Sequence, residues 1–245
     1  PIRLLVPKAR REGISTLVQA LFTFLCSNMS EFNAFTMAHT SADSQKIFKI
    51  AKGVAYGMPG HGIKGSSAAS LYWSNGSQYD CGTAGGKKSG RGSTIHALHL
   101  SEVASYQSVA GMDSEALMSI LNTVALSAST IVVMESTGEG PAGEFANRCQ
   151  TAALSVDGRS DDGYVLCFLP WFEDEENLAA PIPGRDLEPD DIQLQTCHHL
   201  TSAQMWFYRR KKAEALSGGG APVLFLREWP STLADCFIGA AGLVY

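Results

Sequence analysis

Apolar positions in this chain fall into short unbroken runs separated by stretches in which they recur every three or four residues. A run of about five apolar residues between turn formers marks a strand covered on both faces, whereas the wider recurrence marks a helix with one buried stripe. The first unit therefore reads as a strand over Ile2–Val6, a polar loop over Pro7–Ser15 and a helix over Thr16–Cys26. A second strand follows at Ala34–Ala38. Ser41 or Asp43 caps the next helix, where Ile47, Ile50, Ala51 and Val54 hold helical spacing, and Gly57, Gly60, Gly62 and Gly65 end it. Short strands at Ala69–Trp73 and Gln78–Thr83 lead into a glycine-rich basic loop, Gly85–Ser93. Then come a strand at Ile95–Leu100, a helix at Ser114–Leu126 and a strongly apolar strand at Thr130–Met134. A helix over Gly143–Leu154 and the last strand of the main sheet, Tyr164–Leu169, complete the series.

This alternation predicts an α/β fold with a mainly parallel sheet. The character changes after Phe172: Glu173 to Asp191 is acidic and bears prolines, and a helix at Thr201–Ala215 carries Tyr208-Arg209-Arg210-Lys211-Lys212 before stopping at Gly218-Gly219-Gly220. The expected division is a core over 1–172 and a small C-terminal subdomain over 173–245. Hydrophobic residues at 45% and charged residues at 18% suffice for a buried core without disulfide or metal staples. The six cysteines lie far apart with no C-x-x-C pair, which predicts a reducing, intracellular setting. Leu17–Cys26, the longest apolar stretch, is broken by Gln19 and Thr23 and is too short to cross a bilayer, so no membrane partner is expected. A net charge of −5 argues against a protein that coats nucleic acid through a strongly basic surface, while local gripping of DNA stays open. Opening at Pro1, directly before a strand, the chain reads as a fragment.

Three strand ends carry candidate chemistry. Lys8-Ala9-Arg10-Arg11-Glu12-Gly13-Ile14-Ser15-Thr16 joins a strand to a helix, where backbone N–H groups and the helix N-terminus form an anion site. Basic side chains there can reach the β and γ phosphates of a nucleotide, and the Ser15 hydroxyl can ligate Mg²⁺. The usual G-x-x-x-x-G-K-[ST] pattern is broken by Lys8 and Ile14, and taken alone the segment reads more readily as a basic loop capping a helix. At the end of Ile95–Leu100, Glu102 can orient and deprotonate an attacking water, while Ser101 stands where an aspartate is usual and leaves Mg²⁺ a hydroxyl or water-mediated contact. A strand ending in one glutamate is common, however. Past Met134, the hydroxyls of Ser136 and Thr137 can sense a γ-phosphate or merely satisfy the backbone of a strand-to-helix turn.

Taken in order, the 8–16 segment, Gly90-Arg91-Gly92 with Leu98-His99-Leu100-Ser101-Glu102-Val103-Ala104, and Glu135-Ser136-Thr137 resemble the ATPase motifs of the large terminases of tailed bacteriophages. Phe168-Leu169-Pro170-Trp171-Phe172 and Arg227-Glu228-Trp229-Pro230-Ser231-Thr232 with Cys236-Phe237 extend the resemblance over nearly the whole chain. It implies an ASCE-type P-loop NTPase with a three-layer core, ATP and Mg²⁺ as cofactors, and hydrolysis that drives double-stranded DNA into a procapsid. The resemblance makes Lys8 a relocated phosphate-loop lysine and Arg10 a phosphate sensor or cis finger, with Arg11 a lesser substitute. Gly13, Ser15 and Thr16 complete the nucleotide loop, Ser15 being the Mg²⁺ hydroxyl, with Ser101 and Glu102 acting through water. Glu102 matches the catalytic glutamate, Ser136-Thr137 the segment coupling hydrolysis to movement, and Arg91 an arginine inserted into a neighbouring subunit's site. Implied partners are double-stranded DNA, a portal protein, a small terminase subunit and further copies in a ring on the procapsid, in the host cytoplasm. The adenine-contacting segment would precede Pro1 and the nuclease would follow Tyr245, so nuclease activity is not expected of this chain. Two other readings stay open: another P-loop translocase or helicase, and a degenerate P-loop module that binds a partner without hydrolysis, which Ile14 and Ser101 keep in play.

The remaining features have plainer readings. Cys197-His198-His199 has no second ligand pair at a workable spacing, so no zinc is expected. His96 and His99, three apart on a strand, point to opposite faces and are expected to pack. Arg209–Lys212 reads as a solvated helical face before it reads as a DNA contact, Lys87 and Lys88 share that ambiguity, and Trp171, Trp206 and Trp229 read as core.

Overall fold

The computed structural model describes residues 1–86, 94–112 and 114–239. Strand β1 (Ile2–Pro7) leads to helix α1 (Ile14–Asn28), β2 (Asn33–Ala38), α2 (Ser41–Gly57), the short strands β3 (Ile63–Ser66) and β4 (Ser70–Trp73), and β5 (Gln78–Thr83). Next are β6 (Ala97–Ser101), a 3-10 turn at Val103–Ser108, α3 (Ser114–Leu121), β7 (Ile131–Ser136), α4 (Glu144–Ala153) and β8 (Val165–Leu166). The eight strands form one sheet in the order β3-β4-β5-β2-β6-β7-β1-β8. Ladders β5–β2, β2–β6, β6–β7 and β1–β8 are parallel, and β3–β4 and β4–β5 are antiparallel.

Connection handedness sets the layers. Passing from β1 to β2 and from β2 to β5 moves one way along the sheet, and passing from β6 to β7 and from β7 to β8 moves the other way. Right-handed crossovers then put α1 and α2 on one face and α3 and α4 on the opposite one. The three-layer α/β arrangement explains why β6 is buried at all five positions and β2 and β7 at all but their first. β7 lies between β1 and β6, so the two strands with the leading candidate motifs are separated by one strand rather than adjacent.

Several expected boundaries shift. Helix α1 begins at Ile14, so Ser15 and Thr16 lie in its first turn and not in or just after a loop. α3 stops at Leu121 rather than Leu126, because Thr123 turns its hydroxyl back to the Ile120 carbonyl and Val124 forms a bridge with Ile95. β3 is an addition: the Gly57–Gly65 segment reads as a helix terminator, yet Ile63–Ser66 pairs with β4 through a register shift at Gly65. The Tyr164–Leu169 strand is present but short, at two residues.

By contacts the chain forms two compact units. The first holds Pro1–Val6, Gly13–Ser136 and Gly143–Cys167, and the second holds Pro7–Glu12, Thr137–Ala142 and Phe168 onward. The second contains α5 (Pro189–His198), α6 (Ser202–Ser217), α7 (Pro222–Glu228) and α8 (Leu233–Cys236). Its core gathers on the fully buried Trp171, which stacks on Tyr208 at 5.0 Å and donates from Nε1 to Ser231 Oγ at 3.0 Å, with Met205, Leu200, Phe225 and Ala9 around it. Trp206 is buried and Trp229 packs on Phe207. Within the Arg209–Lys212 run only Arg209 turns inward, pairing with both Glu188 and Asp191; Arg210 is exposed and donates to the Ala180 carbonyl, and Lys211 pairs with Glu214 of the same helix, so the rest of the run keeps the solvent-facing side expected. Helix α5 escapes the sequence pattern because its acidic start reads as loop, whereas Glu188 and Asp191 form a reciprocal cap and Pro189 takes the first turn, where a missing N–H costs nothing.

Candidate active site

Helix α1 opens at Gly13, whose φ of 70° is left-handed and whose Cβ direction meets only open space. Glycine is needed there for the backbone, not for room. Two residues on, Ser15 Oγ donates to Glu135 Oε1 at 2.8 Å. The parallel register pairs Ser101 on β6 with Glu135 on β7, so both side chains leave the same face of the sheet. Ser101 Oγ donates to the same carboxylate oxygen at 2.7 Å, and His99 Nε2 stands 3.3 Å from it. Helix α1 has no acid in its first turn, and Glu135 brings a carboxylate to that turn from across the sheet, where the helix dipole favours negative charge.

Below this point the α1-facing layer stays polar. Gln19 Nε2 lies 3.1 Å from both Thr36 Oγ1 and His99 Nδ1, Tyr79 OH donates to Gln19 Oε1, and Thr36 and Tyr79 share a hydrogen bond of 2.8 Å. With the Gln19 amide as donor, His99 accepts at Nδ1 and carries its proton on Nε2, the nitrogen that faces Glu135. His99 thus ends a buried polar chain that runs from Tyr79 through Gln19, with its Nε2 near Glu135, and the expectation that it merely packs is corrected, although its ring also meets Phe22 edge-on. His96, on the other face, stacks on Phe32.

At the tip of β6 the backbone turns sharply. Glu102 has φ 54° and ψ 46°, a left-handed conformation that costs a non-glycine residue about 1–2 kcal/mol. It opens the 3-10 turn. Ser136 Oγ donates to Glu102 Oε2 at 3.2 Å and accepts the Ala104 N–H at 3.3 Å, tying the ends of β6 and β7 together. Tyr106 OH donates to the Met37 carbonyl, and burial, then the Glu135 and Glu102 charges, hold this phenol well above its ordinary pKa, so it stays a neutral donor.

Gly13, Ser15, Thr16, Ser101, Glu102 and Ser136 all belong to the first unit, and Thr16 is exposed. Lys8, Arg10, Arg11 and Thr137 belong to the second. There Lys8 is buried and bridges to Leu169, Arg10 pairs with Glu228, and Arg11 has a positive φ of 68°. Burial first, then Asp174, pushes the Glu12 carboxyl up to about 7 against the opposing pull of Lys8. Arg91, Gly90, Gly92, Lys87 and Lys88 lie outside the described residues. Cys197 is exposed and His198 rests on Phe172. Burial pushes the Cys26 and Cys236 thiols up to about 12, which leaves them inert. Glu135, Gln19 and His99 are the residues of this cluster to which sequence reasoning gives no role in a site. One signal exists for Glu135: a serine at the β6 position that usually carries an acid, with a glutamate at the end of another apolar run.

No family model matches the chain, and no curated protein does. Solved structures do. The large terminase ATPase domain of Thermus phage P74-26 superposes with a TM-score of 0.59 at 13% identity, covering 93% of this chain and 86% of that one. The HK97 bacteriophage large terminase gives 0.56 at 15% identity over 83% of this chain, and a large terminase from a thermophilic bacteriophage gives 0.53 at 12% over 79%. This chain spans 45% and 44% of those two proteins. At such identities the likeness is one of fold, and the α/β fold of this chain is the one seen in the ATPase domain of phage large terminases.

Proposed function

We propose that this chain is the ATP-hydrolysing motor domain of a DNA-packaging terminase. The observation that carries the reading is the meeting of Ser15, Ser101 and Glu135, with Glu102 beside them, at the carboxyl ends of parallel strands and the first turn of the helix after β1. That is where open α/β sheets bind ligands. The large terminase of the thermophilic bacteriophage, whose fold this chain shares, has been solved with ADP and with ATP-gamma-S.

In this reading the backbone from Gly13 to Thr16 receives the phosphates, and Lys8 and Arg10, with Arg11 in reserve, neutralise the charge that develops on them. Water bonds to the γ-phosphorus as the bond to the β–γ bridging oxygen breaks, the proton of the water passes to Glu102, and ADP leaves with the electron pair. Ser136 restrains the Glu102 carboxylate, and with Thr137 it reports whether the γ-phosphate is present. The residues fit Mg²⁺: Ser15 donates its hydrogen bond to a buried carboxylate, which leaves a hydroxyl lone pair for the cation, and Ser101 and Glu102 would act on it through water. When bound, Mg²⁺ supplies charge neutralisation at the β and γ oxygens. Arg91 acts in a neighbouring subunit's site. The partners in this reading are duplex DNA held by its phosphates, a portal protein, a small terminase subunit and other copies in a ring on the procapsid in the host cytoplasm. Among the described residues no helix is long and apolar enough to cross a membrane.

The test is nucleotide binding and turnover for the parent, Lys8→Ala and Glu102→Gln. Glu102→Gln should bind ATP yet turn it over about 10²-fold or more slowly, the scale of a lost general base, and Lys8→Ala should weaken binding. Turnover like the parent's in both variants rejects the site. Stimulation by duplex DNA supports a packaging motor, and stimulation by single strands alone would favour a helicase.

A further inference from the structure

We infer that the carboxylate which orders the active-site metal has moved one strand over in this chain: Glu135 on β7 does the work of the acid missing at Ser101 on β6. The inference rests on the nucleotide-site reading above and assigns it a residue that the sequence left unassigned. Three observations carry it.

First, Ser15, the hydroxyl placed to touch the cation, donates its hydrogen bond to Glu135 Oε1 and not to any group on β6. A hydroxyl in the first turn of α1 is held in a fixed direction only by a strong acceptor, and a carboxylate is the strongest among side chains. Second, register places Ser101 and Glu135 directly across from one another, about 4.8 Å apart as neighbouring strands are. Glutamate is one methylene longer than aspartate, and its carboxyl reaches back over Ser101, whose hydroxyl donates to the same oxygen at 2.7 Å. A short hydroxyl at 101 and a long acid at 135 are therefore matched: an aspartate at 101 would press a second carboxylate against the first. Third, Glu135 is fully buried. Removing a carboxylate from water costs several kcal/mol, and proteins keep such groups where they are hydrogen-bonded, paired or set beside a cation. His99 Nε2 lies 3.3 Å from the same carboxylate oxygen and sets an imidazole beside it.

The deciding measurement is metal-dependent nucleotide binding, read without turnover. A fluorescent ATP analogue is titrated into the whole chain in Mg²⁺ and in EDTA, and Mn²⁺ binding to the chain with ADP is followed by electron paramagnetic resonance. The parent should bind more tightly with Mg²⁺ than with EDTA. Glu135→Gln keeps the size of the side chain and one acceptor oxygen for Ser15 and Ser101 while removing the charge; its affinities in Mg²⁺ and in EDTA should converge, and it should need at least tenfold more Mn²⁺ for half-saturation. The relocation pair Ser101→Asp with Glu135→Gln should recover the Mg²⁺ enhancement to within a few-fold. An unchanged metal response in Glu135→Gln overturns the inference and leaves the nucleotide-site reading standing. A parent that binds no nucleotide overturns both. Should Glu135→Gln fail to fold, Glu135→Asp decides instead: a raised Mn²⁺ midpoint supports the relocation and an unchanged one rejects it.

Discussion

A single hydroxyl at position 101 fixes what its neighbours can be. Ser101→Asp, made alone, sets a new carboxylate against the buried Glu135, and like charges so close cannot both stay ionised without cost. Urea denaturation at pH 7.5 should show a loss of about 3–5 kcal/mol, the scale of an uncompensated buried charge, and Glu135→Gln in the same chain should restore most of it. Glu12 makes a second case, since its carboxyl holds a proton up to about pH 7 when folded and releases it near 4.5 when free. Between those values the folded chain binds more protons, so its stability falls as pH rises and the contribution is gone above pH 7. Glu12→Gln should remove that slope: the parent should lose more thermal stability than the variant between pH 5 and pH 8, and equal losses would contradict the shift. That Ser15, Glu102 and Ser136 stand at a helix start and at strand ends was legible, because order and punctuation along the chain reveal such positions. Glu135 was not, because its partner in the register is 34 positions away and pairing partners are invisible to a local pattern.

Elements were legible where one rule governed them. The β2, β6 and β7 runs are apolar because both faces are covered, and they stand close to where the pattern placed them. β3 escaped because Gly65 and its register shift break the alternation that would have shown it, and α5 escaped because its stabilisation comes from a reciprocal cap and not from an apolar stripe. The start of α1 depends on one backbone state: Gly13 is left-handed with free space around it, so a methyl group there adds strain without a clash. Gly13→Ala should destabilise the chain by about 1 kcal/mol, measured by urea denaturation, and Gly13→Asn by less, since asparagine tolerates that region better. An alanine variant as stable as the parent would mean that the turn relaxes.

For the molecule as a whole, two units share three chain segments each, and each unit has its own interior. The first was anticipated by alternation of strands and helices. The second was only sketched, since a helical cluster around one tryptophan has little periodic signal and one arginine of its basic run, Arg209, is spent on internal ties to Glu188 and Asp191. Trp171→Ala should cost about 3–5 kcal/mol there, seen as faster amide exchange in α6 and α7. Unchanged exchange would show that the cluster does not depend on that ring.

The two ends of the strand order bear on how copies of this chain can associate. At one end β8 offers only two residues, and an antiparallel bridge between Arg159 and Val165 already occupies it. At the other, β3 is four residues long, interrupted in register and lysine-bearing at Lys64. Neither edge presents the long, flat row of unpaired amides that invites a foreign strand. Among the described residues self-association by sheet extension is thereby disfavoured, and any contact between copies would use side-chain surfaces of helices and loops, which can part and re-form without breaking a backbone ladder.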